Sequence, residues 1–357
     1  MNELEDFISI SKYAGERFDI VQAGGGNSSV KFDDGSMIIK ASGFSLSEIS
    51  ENKGYVRLDT QKINRILLNP DILNIKDKRS RDELSLKLVA ECIIGEKNKP
   101  SIETFLHSLL YKFTLHTHPI VVNSLAHQSN WKELLQDMFP DAMYVKYRTP
   151  GIELALELFR ELADYKDKFE KIPERIFLQN HGLIVSSDSF ENIFQLNEST
   201  LIKLEKLTGV DFEKHRIVNK ISNLFNSAFN GGYISYLVRS SYLNKVLKEN
   251  RNLFFQFSFC PDSQVFCGRR AIELNDLKDE EVILDFKDKY FHEPRIVIFN
   301  NAIYCIAMNV KKAKEMEDVL EFQIHSLENA KHAVQFLSDE EVSYLENWDA
   351  EKYRRKL

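Results

Sequence analysis

The stretch QAGGGNSSVKFDDGSMIIKASG, residues 22–43, decides the fold. Its three consecutive glycines first suggest a dinucleotide loop. That fingerprint needs a third spaced glycine and then a helix whose N-terminus holds the pyrophosphate. Gly24 and Gly26 fit the first two positions, but Ser29 stands where the third glycine belongs. Residues 29–40 read instead as strand, turn, strand, with Asp33-Asp34-Gly35 as the turn of a hairpin. No Walker pattern is present either. Two readings stay open for the glycines. They form a plain turn, or a nest of backbone N–H groups for a phosphate or carboxylate. Asn27 and Ser29 would add donors to such a nest, with Lys31 and Lys40 nearby in sequence.

The 357 residues suffice for one large domain or two, and 43% hydrophobic with 28% charged residues is an ordinary globular balance. The net charge of −7 offers no electrostatic argument for nucleic acid or an anionic membrane as partner. Apolar runs fall short of a bilayer span. The acidic start MNELEDFISISKY lacks the pattern of a signal peptide, so a cytoplasmic location is expected. Cys92, Cys260, Cys267 and Cys305 are scattered without a CxxC pair and read as reduced core thiols.

Strand and helix patterns alternate up to about residue 210. Helices are expected over 4–17, 81–95, 101–113, 152–165 and 189–209, the last closed by Gly209. Strands are expected at 114–118 and on both sides of Asn180-His181-Gly182. A second mixed region comes next, with strand patterns at 253–259, 264–267, 281–285, 295–299 and 303–308. It also holds a helix over 312–337 and a charged helical tail over 337–357. The division expected is residues 1–215 and residues 216–357. In the second part, Arg269 and Arg270 read as a solvated face, with contact to an anionic substrate as the alternative.

Three short pieces carry metal-ligand chemistry. LHTHP sets His116 and His118 two apart on a strand, where period two puts both imidazoles on one face. QNHG sets His181 at a tight turn, and PSIET sets Glu103 in the first turn of a helix. Three His and one carboxylate suit Zn²⁺ or a similar ion. Each piece alone has a plainer explanation: a chance H-x-H, a carboxylate at a helix dipole, or Ser101 as an N-cap. His107, four residues after Glu103, shares its helix face.

The order GGGNSS, KASG, PSIE, HTHP, NHG is more specific than its parts. Over roughly residues 15–210 it resembles the class II aldolase/adducin family, typified by L-fuculose-1-phosphate and L-rhamnulose-1-phosphate aldolases and L-ribulose-5-phosphate 4-epimerase. GGGN, IIKASG and the closing ENWDAEKYRRKL are similar to a longer branch. That branch includes the aldolase half of rhamnulose-phosphate aldolase/dehydrogenase fusions, and the dehydrogenase half is expected to be missing here. The resemblance implies an α/β (α+β) fold, a mainly antiparallel central sheet flanked by helices, with a C-terminal α/β extension. It implies that His116, His118 and His181 bind a divalent metal, most simply Zn²⁺, with Mn²⁺ or Co²⁺ as alternatives. Glu103 would bind the resting metal and exchange protons during turnover. Gly26, Asn27, Ser29, Ser42, Gly43 and Ser101 match positions that hold substrate phosphate, with Lys40 and Tyr147 as weaker additions. Ile102 replaces a serine of the fuculose enzyme, so the anion held could be a carboxylate. Tyr144 and Tyr147 are the tyrosines available as a general acid.

The implied activity is that of a metal-dependent lyase. It would cleave or form a C–C bond in a phosphorylated or acidic sugar through a metal-stabilised enediolate. Epimerase, dehydratase or decarboxylase chemistry on the same site, and a non-enzymatic adducin-like scaffold, are the alternatives. A small-molecule substrate and a homo-oligomer, tetramer or dimer, are the partners the resemblance implies.

Overall fold

A computed structural model describes residues 2–95 and 98–348. The chain divides into two compact units, Met1–Phe212 and Glu213–Leu357.

Among the described residues the first unit is built on a seven-stranded sheet. Its strands are β1 (Asn27–Lys31), β2 (Ser36–Lys40), β3 (Tyr55–Asp59), β4 (Phe113–Thr117), β5 (Met143–Val145), β6 (Arg175–Leu178) and β7 (Gly182–Ser187). They run in the order β3-β2-β1-β4-β7-β6-β5. All neighbours are antiparallel except the β5–β6 pair. The hairpin read at 22–43 is therefore β1–β2, turning at Gly35 with φ +81°.

Strand alternation divides the apolar residues between two cores. Val30, Phe113, Leu115, Leu183 and Val185 face helices Glu3–Gly15, Ile120–Ala126, Trp131–Gln136 and Phe190–Thr208. Met37, Ile39, Leu58, Ile176 and Ile184 face helices Thr60–Ile66, Lys78–Ala90, Thr104–Ser108 and Ile152–Phe169. The result is a three-layer α/β unit with a mainly antiparallel sheet in the middle. The helix expected over 101–113 is only Thr104–Ser108, because the chain must turn at once to enter β4.

The second unit has β8 (Ile234–Leu237), β9 (Ile272–Glu273), β10 (Ile296–Phe299) and β11 (Ala302–Ala307), in the order β8-β11-β10-β9. Helices Glu213–Phe229 and Glu280–Tyr290 cover one face, and Ser241–Glu249 and Val310–Glu328 the other. Three strand expectations fail here. Residues 251–255 form a 3₁₀ turn and 263–267 a π-helical turn. Residues 280–290 are a helix that buries Ile283 and Phe286, three apart, where a strand would need alternation. Arg269 is also not on a solvated face. It is 5% exposed and donates to Asp339 Oδ1 at 2.7 Å. The tail forms helix Asp339–Asn347, and residues 349–357 of the closing stretch lie outside the described residues. Among the described residues no helix is long and apolar enough to cross a membrane.

Candidate metal centre

Glu103, His116, His118 and His181 each bring one ligand atom to a common point, all within 4.8 Å of one another. The first unit's sheet does the gathering. β4 lies between β1 and β7, so His116 stands opposite Asn27 on one side and Ile184 on the other. Residues in register share a face, so Asn27 and His116 point the same way. His118 lies one residue past the end of β4. His181 sits in the β6–β7 turn, where Asn180 takes a left-handed φ of +54°. The turn is held from outside, since Asn123 Nδ2 donates to the His181 carbonyl at 3.1 Å.

The three imidazoles form a near-equilateral set, with ring centroids 4.8, 4.9 and 5.0 Å apart. His116 Nε2 lies 3.1 Å from His118 Nε2 and 3.2 Å from His181 Nε2. Glu103 Oε1 lies 3.3 Å from His116 Nε2 and 3.2 Å from His181 Nε2. His116 Nδ1 is 3.1 Å from the Leu183 carbonyl oxygen, which only accepts. The ring proton is thereby assigned to Nδ1, and a bare Nε2 lone pair turns inward. Lone pairs crowded this closely repel unless a cation lies among them. The donor set thus fits a divalent ion: three imidazole nitrogens, one carboxylate and no thiolate.

The electrostatics agree. Burial alone raises the Glu103 carboxyl, but the facing imidazoles of His116 and His181 outweigh it and hold the group well below the ordinary carboxylate range. Burial, reinforced by His116 and His181, pushes the His118 imidazole down to about 3, so it is a neutral donor at neutral pH.

Asn27 Nδ2 donates to Glu103 Oε2 at 2.9 Å and to Ser101 Oγ at 2.8 Å. The Glu103 carboxylate is therefore divided, one oxygen on the imidazoles and the other on Asn27. Ser101 Oγ also accepts from the Glu103 N–H at 3.2 Å. The glycine loop lies against the same centre. A Cβ on Gly25 would stand 2.9 Å from His118 Nδ1, and one on Gly26, at φ +74°, 2.9 Å from the His116 carbonyl. These glycines permit close approach to the histidines, which is why side chains are missing at both positions.

The remaining expected residues are placed less uniformly. Lys40 Nζ donates to the carbonyls of Phe44 at 2.8 Å and Gly24 at 3.2 Å, tying the glycine loop to the Ser42-Gly43 loop. Ser42 and Gly43 are exposed in that loop, and the Ser42 N–H donates to Lys99 O at 2.8 Å. Ser29 Oγ is fully buried against His107 Nδ1 at 2.7 Å, beneath the loop rather than in it. Tyr147 is 49% exposed, beyond the end of β5. Tyr144 cannot serve as the acid. It belongs to the core on the opposite sheet face, where its hydroxyl donates to Phe139 O at 2.7 Å and burial raises its pKa. Sequence reasoning did not single out Gly25, Asn123 or the Leu183 carbonyl. Only Gly25 carried a signal, as the middle of three glycines.

Residues 5–201 match the family described as Class II Aldolase and Adducin N-terminal domain. The chain belongs to this family. A curated relative, the uncharacterized oxidoreductase YuxG of Bacillus subtilis (strain 168), is 26% identical over 226 residues, covering 60% of this chain and 31% of the relative. The chain thus spans about a third of that relative's length. Solved structures with a similar fold include the N-terminal class II aldolase domain of a conserved protein from Thermoplasma acidophilum. It has TM-score 0.49 and 23% identity, over 58% of this chain and 94% of that one. An L-fuculose 1-phosphate aldolase has TM-score 0.39 and 17% identity, over 60% and 93% of the two chains. A sugar-phosphate aldolase from Thermotoga maritima has TM-score 0.38 and 16% identity, over 57% and 95%. Within this class II aldolase family, the chain carries a Glu/His group that could hold a divalent metal.

Proposed function

We propose that this chain is a metal-dependent lyase that breaks or makes a C–C bond in a phosphorylated or acidic sugar. The observation that carries the reading is the divided Glu103 carboxylate, one oxygen among three converging imidazoles and the other on Asn27. His116, His118 and His181 would hold the ion, with Glu103 as fourth ligand at rest, and Zn²⁺ suits this donor set best among Zn²⁺, Mn²⁺ and Co²⁺. When bound, the ion supplies Lewis-acid stabilisation of negative charge developing on the substrate oxygens.

The protein's residues do the rest. Glu103 takes a proton from a substrate carbon, or returns it. Its carboxylate is ionised, the form that can accept a proton. Asn27 keeps Glu103 Oε2 oriented. Gly26, Ser42, Gly43 and Ser101, with Lys40 bracing the two loops, anchor the substrate's anionic end and so fix its orientation. Ile102, 42% exposed beside Ser101, offers no hydrogen bond there, which favours a carboxylate over the more demanding phosphate. Catalysis belongs to residues 1–215, and 216–357 form an extension. A cytoplasmic homo-oligomer acting on a small molecule completes the reading.

The test is a metal analysis of the purified chain, followed by a screen of ketose phosphates and sugar acids for aldehyde release. Glu103→Gln should keep the metal and lose turnover by about 100-fold or more. His116→Ala and His118→Ala should lose the metal itself. Full activity of a metal-free preparation would sink the reading.

A further inference from the structure

Two buried polar atoms near the metal centre have no hydrogen-bond partner among the described residues. One is His107 Nε2, on a fully buried ring, and the other is Asn27 Oδ1, on a side chain 4% exposed. We infer that one buried water joins them, and that His107 is thereby a positioning residue for Glu103, acting through the Asn27 amide. This rests on the reading of Glu103 as the base.

The strand sets the geometry. Asn27 and Ser29 are two apart on β1 and so share a face. Ser29 Oγ lies 2.7 Å from His107 Nδ1, which fastens the imidazole over that face. His107 also stands one helical turn after Glu103, and its backbone N–H donates to the Glu103 carbonyl at 3.4 Å. Two residues along a strand span about 6.6 Å. Two hydrogen bonds through one water span about 5.6 Å. The spacing is on the scale of a single bridging water.

Proton counting fixes the direction. With the ring proton on Nδ1, that nitrogen would donate to Ser29 Oγ. The Ser29 hydroxyl proton and a bare Nε2 would then both be unpaired in the core. With the Ser29 hydroxyl donating to Nδ1 instead, only the Nε2 proton is left over, and it is a donor. Buried donors and acceptors are rarely left unmatched. The matching acceptor on this strand face is Asn27 Oδ1, because both N–H groups of that amide are already used. They go to Ser101 Oγ at 2.8 Å and Glu103 Oε2 at 2.9 Å. A donor at Oδ1 opposes rotation of the amide, which would swing its oxygen toward the carboxylate. Ser29, His107, the water, Asn27 and Glu103 then form one directed chain, each member donating to the next, and such chains strengthen one another.

The first test needs no turnover. NMR of the full chain with nitrogen-labelled histidine should show His107 as the Nε2–H tautomer, its signals identified by their loss in His107→Gln. Asn27→Ala should shift the Nε2 signal. An Nδ1–H tautomer, or an Nε2 signal indifferent to Asn27→Ala, overturns the inference whatever the reaction proves to be. The second test is kinetic, on the metal-loaded chain with a substrate found by the aldehyde screen. His107→Phe should lower kcat by about tenfold, with KM and metal content unchanged. His107→Gln keeps an N–H near the Nε2 position and should stay within about threefold of the parent. Ser29→Ala, a smaller change, should match His107→Phe and replaces it where that variant folds poorly. In an Asn27→Ala background His107→Phe should cost nothing further, since both act through one amide. Additive losses, or Gln as damaging as Phe, assign His107 to packing alone and overturn the inference. A chain with no turnover on any sugar would instead sink the lyase reading, and the tautomer would still decide this one.

Discussion

The side-chain amide of Asn27 spans Ser101 Oγ at 2.8 Å and Glu103 Oε2 at 2.9 Å, joining positions more than 70 residues apart in the chain. One strand residue thereby sets the orientation of a carboxylate on a different element. A hydrogen bond to a charged group contributes about 1.5–3 kcal/mol. Asn27→Ala should therefore lower kcat by about 10- to 100-fold with metal content unchanged. Steady-state kinetics beside metal analysis checks it. A rise in KM with kcat held would instead assign Asn27 to the substrate's anion.

Of the three loop glycines, Gly25 is the one where an added Cβ would meet an imidazole. A methyl there would stand 2.9 Å from His118 Nδ1, so the ring must shift. Gly25→Ala should weaken metal binding by about tenfold or more, as displacing the support of a metal ligand generally does. Competition with a chelating dye reads the affinity. Gly24→Ala, where a Cβ meets nothing within 4 Å, should leave it unchanged.

His107 should shape the acid stability of the metal-free chain. Burial, reinforced by the neighbouring His116, holds its imidazole at about 3 against an ordinary 6.5. Below about pH 6.5 the unfolded chain takes up a proton that the folded chain refuses. Stability is thus fully present above that pH and is lost as pH falls toward 3, by up to about 1.4 kcal/mol per pH unit. His118 is depressed in the same direction, so the slope belongs to both. His107→Gln should make the slope shallower. Urea midpoints across that range decide it, and an unchanged slope would refute the assignment.

Arg17 is 1% exposed and grips Asp19 through Nε at 3.1 Å and Nη2 at 2.5 Å, while its Nη1 reaches Glu198. Arg17→Ala leaves the buried Asp19 carboxylate without this partner, at a cost of about 3–5 kcal/mol. Urea denaturation should show an earlier midpoint with an unchanged slope.

Much of the first unit was legible because its signals are local. Asp33-Asp34-Gly35 marks a hairpin, and the strand after the glycines removes the dinucleotide reading. The spacing of His116 and His118 places both on one sheet face. The second unit was less legible. Short apolar runs such as EVILD suit a strand or a buried helix face, and packing against the sheet chose the helix. Tyr144 shows the same limit at one residue, since sequence offers it as an acid while β5 turns its hydroxyl into the far core.

Sequence by itself determined the residue types available for chemistry: glycines without side chains, imidazoles two apart, and a carboxylate at a helix start. Only the tertiary structure decided which of them meet. His116 and His181 are 65 positions apart, and their contact exists because β4 and β7 are hydrogen-bonded neighbours. Ser29 and Asn27 share a strand face, yet one reaches His107 and the other Glu103. That division follows from what the packed helix places above each position, which no local pattern encodes.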